Sequence, residues 1–176
     1  MICKFLAMLI LLPTTVYGQT VVRHNDVEAV SDVCNPEQEH HNKALVRKFI
    51  IEGQSGRNLK IVSEYLSPDF IDHSGASNPN HDPTKQGSLA FHEALFAAFP
   101  DFGVVIHQQI AECDRVVTFK TFHGTHKGNF FGFPATNEKM EIDVIDILRV
   151  EENQVVDHWV LNNMSERLIA ASAGSK

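Results

Sequence analysis

The chain reads as an α+β fold: a curved, mostly antiparallel sheet forming a cone, with N-terminal helices packed on its concave face. Three observations predict it. Apolar residues return at helical spacing up to Phe99, and after Asp101 the period switches to two. Helices first and strands afterwards exclude alternating β-α-β units with a parallel sheet. No internal repeat breaks this single sequence of events, so residues 37–172 are expected to form one domain.

In chain order, the first helix starts at Glu37, carries Ala44, Leu45, Phe49 and Ile50 at helical spacing, and is closed by Gly53. Asn58 is placed to cap a second helix, Leu59 to Leu66, with Ile61, Val62 and Tyr65 on its apolar side. Pro68 disfavours helix at Ser67, so "SPDFIDHSG" reads as a break, and "ASNPNHDPT" as a loop. A third helix runs from near Thr84 to Phe99 and buries Leu89, Leu95, Phe96 and Phe99. Four strands follow: "FGVVIHQQIAE", "RVVTFKTFHGT", "KMEIDVIDILRV" and "NQVVDHWVLNN". A last helix spans Met164 to Ser172.

Composition fits a folded globular chain, with 43% hydrophobic and 21% charged residues in 176. The formal net charge of −7, with no Lys/Arg cluster, argues against a nucleic-acid partner. Residues 1–18 have the layout of a secretory signal peptide: a basic Lys4, a short apolar run, and small residues before Gln19. The expected location is therefore extracellular or periplasmic, with no membrane attachment after cleavage. Residues 19–36 read as a flexible lead-in. Cys34 and Cys113 are then two thiols in an oxidising compartment, paired or unpaired. No H-x-H, HExxH or CxxC spacing appears, so no metal site is expected.

Strand alternation selects candidate site residues. If Lys120 is solvated, Val117, Phe119, Thr121 and His123 face inward. If Arg149 faces out, Val144, Asp146 and Leu148 face in. On the last strand Trp159, Leu161 and Asn163 are expected inside, with Asp157 and His158 outside. This predicts Asp146 as a candidate acid/base group assisted by His123, because apolar walls would raise a carboxylate's pKa. His73, Phe119, Thr121, Trp159, Leu161 and Asn163 are the candidate substrate-binding residues. Each polar member can equally be satisfied structure.

The segments "YLSPDFIDHS", "HEALFAAFPDF", "GTHKGNFFGFPATNEKMEIDVIDILRV" and "NQVVDHWVLNN" together resemble the SnoaL-like polyketide cyclases, whose cone fold is shared with nuclear transport factor 2. The resemblance implies a cofactor-free acid/base enzyme, a cyclase, isomerase or lyase, acting on a small apolar carbonyl compound, and a homodimer. It also implies an aspartate four residues after the Trp of "HW", where this chain has Asn163. An amide exchanges no proton near neutral pH. Two readings therefore stay open: an enzyme that relies on Asp146, and a non-catalytic binder of a small hydrophobic ligand.

Overall fold

The computed structural model describes residues 34–75 and 81–174. The stretch read as a signal peptide and nearly all of the one read as a lead-in lie outside the described residues. Helix α1, Pro36–Lys48, begins with Asn35 accepting from Glu37 N and with proline in its first turn. The helix does not end at Gly53. It continues as a π turn, Phe49–Ser55, in which Gly56 N bonds Ile51 O and Asn58 N bonds Gly53 O. Helix α2, Leu59–Tyr65, has the Asn58 cap the sequence predicts. Helix α3, Lys85–Ala98, is capped by Thr84, and α4 spans Met164–Gly174.

The sheet has five strands, one more than the sequence predicts: β1 Leu66–Asp72, β2 Gly103–Glu112, β3 Arg115–Thr125, β4 Lys139–Glu151 and β5 Gln154–Asn162. Their order is β1-β5-β4-β3-β2, with β1 parallel to β5 and every other pair antiparallel. The added strand is the segment read as a break. Proline is tolerated there because β1 is an edge strand, Pro68 is exposed, and the pairing is irregular between Leu66 and Ile71. The core lies between the helices and the inner face of the open sheet. Val46, Ile50, Val62, Leu95, Phe99, Val116, Val144 and Val155 are all at or below 2% exposure there.

Cys34 and Cys113 form a disulfide. It ties the start of α1 to the β2–β3 turn, where Asn42 Nδ2 also donates to Cys113 O and Glu39 accepts from Cys113 N.

Two strand faces are opposite to the sequence expectation. On β3 the buried positions are Val116, Thr118, Lys120, Phe122 and Gly124, while Phe119 and His123 are exposed. Lys120 is fully buried. On β5, His158 pairs with inward-facing Leu148, so Trp159 and Leu161 belong to the outer face. The β4 assignment stands: Val144, Asp146 and Leu148 point inward. One cause accounts for the β3 reversal. A lysine was assumed to need water, but here it has a buried carboxylate partner. On β5, the irregularity between Arg149 and Val150 resets which residues share Asp146's side.

Candidate functional site

Asp146 sits at the centre of a polar cluster drawn from four strands. The Lys120 ammonium contacts Asp146 Oδ2, and His158 Nε2 is 3.4 Å from Asp146 Oδ1. On its other side His158 Nδ1 lies 3.3 Å from Oδ1 of Asp72, its register partner on β1. The ring of Phe70 stacks against His158 at 6.5 Å. The four charges sum to zero: two carboxylates, one ammonium, and one imidazole held protonated.

Each group's proton affinity follows from its neighbours. Burial works against the His158 charge, but hydrogen bonds and attraction from Asp146 and Asp72 win, raising its pKa to about 9. Burial would raise Asp146, yet the Lys120 charge and the His158 hydrogen bond bring it down to about 2. Asp72 falls well below the usual carboxylate range: burial opposes this and the His158 contact overrides it. Apolar walls therefore do not make Asp146 an acid near neutrality. It is a fixed anion.

Accessibility divides the cluster. Lys120 and Asp146 side chains are 0% and 4% exposed, whereas His158 and Asp72 are 21% and 18% exposed. A solute can meet His158 and Asp72; Asp146 and Lys120 stand behind them. Two concavities among the described residues lie elsewhere. One is a tight apolar crevice between Leu95, Phe99, Phe122 and Ile142. The other is an open groove of about 450 Å³ lined by Arg57, Asn58, Glu93 and Phe96.

The remaining sequence candidates are not in this cluster. His123 lies on the outer face, its ring against the Gly103 backbone, where an added Cβ would approach it to 2.5 Å. It is therefore separated from Asp146 by the sheet. Phe119, Thr121 and Leu161 are also on the outer face. Thr121 Oγ1 donates to Asp143 and meets His107 Nε2 at 2.8 Å. His73 and Trp159 do come together, but outside: their rings stack at 4.5 Å, and His73 bonds Asp157 Oδ1 at 2.6 Å. Asn163 follows the last residue of β5, with its Oδ1 accepting from Asp143 N at 3.0 Å.

Sequence reasoning missed Asp72, Lys120 and His158. Asp72 was hidden by reading β1 as a break. The other two could have been found by applying cross-strand register: Thr118 opposite Asp146 puts Lys120 on the Asp146 face, and Leu148 opposite His158 does the same for the imidazole. Among the described residues no set of three or more His, Cys, Asp or Glu is arranged to hold a metal ion. No helix among them is long and apolar enough to cross a membrane.

An open five-stranded mixed sheet with helices packed on one face places the chain among small α+β cone proteins. Residues 44–168 match the family model of the SnoaL-like polyketide cyclases, and the chain belongs to that family. The aklanonic acid methyl ester cyclase DnrD of Streptomyces peucetius is 25% identical over 122 residues, covering 65% of this chain and 79% of the relative. Among solved structures, AclR of Streptomyces galilaeus, a candidate hydroxylase, aligns with a TM-score of 0.67 at 25% identity over 77% of this chain and 98% of its own. A candidate SnoaL-like polyketide cyclase from Jannaschia sp. CCS1 aligns at 0.68 with 24% identity, over 79% and 96%, a likeness of fold.

Proposed function

We propose that the protein is a cofactor-free acid/base enzyme for a small apolar carbonyl compound, a cyclase, isomerase or lyase. The observation that carries this reading is the His158 imidazole, partly exposed and set between two carboxylates that raise its pKa. Asp72 takes the proton on the carbon beside the substrate carbonyl. The electron pair moves onto the carbonyl oxygen, and a His158 N–H holds the resulting enolate. The enolate carbon then adds to a second carbonyl, whose oxygen takes the proton back from Asp72, or Asp72 returns that proton to a different carbon. Both His158 contacts are long, at 3.3 and 3.4 Å, so a substrate oxygen can replace one of them. Asp146 keeps the imidazole charged, and Lys120 balances Asp146. Family membership and the DnrD relative support the reaction class.

The test is α-proton exchange in D2O, followed by proton NMR, on a panel of β-keto esters and β-diketones. Exchange above background that is lost in Asp72→Asn and His158→Gln is expected. No exchange by the wild-type protein, or undiminished exchange in both variants, ends the reading. The alternative is a non-catalytic binder of a small hydrophobic ligand in the same cavity. It predicts ligand-dependent thermal stabilisation without exchange.

We also propose that the chain is exported and forms a homodimer. The Cys34–Cys113 disulfide and the character of residues 1–18 support export, checked by whether the secreted chain begins at Gln19. The apolar outer face of the sheet supports the dimer.

A further inference from the structure

Lys120 carries a buried charge on a flexible stem, and its nitrogen meets three groups at once: it contacts Asp146, lies 4.9 Å from the centroid of the Phe122 ring, and donates to Gln54 Oε1 at 2.9 Å. The orientation of that amide is itself fixed. Gln54 Nε2 lies 3.1 Å from His92 Nε2, and His92 Nδ1 lies 2.8 Å from Ser88 O, which can only accept. Nδ1 therefore bears the proton and Nε2 is a bare acceptor. Gln54 must give it an N–H and turn its oxygen toward Lys120. The π turn is what delivers Gln54: one extra residue per turn rotates it into the core, where it is 7% exposed.

We propose that Gln54 and His92 are positioning residues for the cone-face site: they hold the Lys120 ammonium on Asp146 and so set how much negative charge Asp146 presents to His158. The inference rests on the site reading given above and extends it into the helical layer. The charged and titratable groups around His158 are Asp72 from β1, Asp146 from β4, Lys120 from β3 and, farther off, His92 from α3. Without Gln54, Lys120 loses the acceptor that holds it on Asp146. Asp146 then faces His158 less compensated, which favours the charged imidazole.

The experiment is an NMR titration of the His158 ring in isotopically labelled wild-type, Gln54→Leu and His92→Phe proteins, with the whole chain folded and oxidised. An upward shift of half a pH unit or more in both variants is expected, with the alkaline limb of any α-proton exchange moving the same way. An unchanged His158 titration in a folded Gln54→Leu protein overturns the proposal, since loss of packing alone moves stability and not that titration. Should the variants fail to fold, labelled lysine in the wild-type protein decides. A Lys120 ammonium resonance protected from exchange and in contact with the Gln54 amide is expected, and its absence refutes the assignment. A shifted titration without any substrate exchange removes the enzyme reading while leaving the positioning pair intact.

Discussion

The Nδ1 nitrogen of His158 lies 3.3 Å from Oδ1 of Asp72, its register neighbour on the only parallel strand pair in the sheet. Nε2 of the same ring faces Asp146. The two carboxylates differ in burial, and substitution separates their roles. Asp72→Asn removes a partly exposed anion, so stability changes by only about 1 kcal/mol. The His158 pKa drops from about 9 by roughly one unit. Asp146→Asn strands a fully buried ammonium, and the expected cost is about 3–5 kcal/mol. Urea denaturation of both variants beside ring titrations checks the contrast. Equal destabilisation would show that Lys120 does not depend on Asp146.

Stability should peak near neutral pH. His158 has its folded pKa raised from 6.5 to about 9, so its contribution is complete below 6.5 and lost as pH rises through 9. His92 is buried and neutral, and desolvation lowers it to about 4, so stability is lost as pH falls from 6.5 toward 4. Asp146, lowered from 3.8 to about 2, adds a further loss in acid as pH falls from 3.8 through 2. A bell of melting temperature against pH follows. His92→Gln should flatten the limb above pH 4, and His158→Gln the alkaline limb. A flat profile in the wild-type protein would contradict both assignments.

Asn163→Asp should not create activity. The Asn163 oxygen already accepts from Asp143 N at the end of β5, and an aspartate there can keep that bond while remaining outside the cone. Unchanged α-proton exchange with a melting temperature within a few degrees is expected. A gain in exchange would mean that the side chain reaches the cluster.

The helices and the four long strands were legible because apolar periodicity reports burial on one face, as in Leu95, Phe96 and Phe99 on α3. The candidate site was legible only in part, through Asp146. Alternation states that neighbours alternate but not which set is inside; an assumption about a single residue decides that. A lysine on a strand is ordinarily the solvated anchor, and burying Lys120 on Asp146 reverses all of β3. Phe119 and Leu161 reinforced the error, since large apolar side chains suggest a core even when they are 40% and 76% exposed. Asp72 was illegible for another reason: Pro68 argues against a strand, and only pairing with β5 along a sheet edge overrides it.

Opening the Cys34–Cys113 bond should lower stability by about 4 kcal/mol, because it closes a loop of 79 residues in the unfolded chain. Cys34→Ser compared with the oxidised wild-type protein in guanidinium gives the number directly. A loss under about 1 kcal/mol would mean that the α1–turn contacts of Asn42 and Glu39 restrain the same segment without the bond.

The outer face of the sheet carries the last prediction. Phe119, Ile145 and Leu161 are register partners across β3, β4 and β5, exposed by 40%, 44% and 76%. Val117, Ile147 and Trp159 form the next row on the same face, half-buried. Two adjacent apolar rows on a sheet are costly to leave in water and suit a second copy of the same surface. Sedimentation equilibrium should therefore find a dimer at micromolar concentration. Leu161→Glu puts a charge beside Ile145, itself 44% exposed, on a surface that the dimer must bury. The variant should sediment as a monomer with an unchanged circular dichroism spectrum. A wild-type monomer at that concentration would mean that these rows face solvent or a different partner.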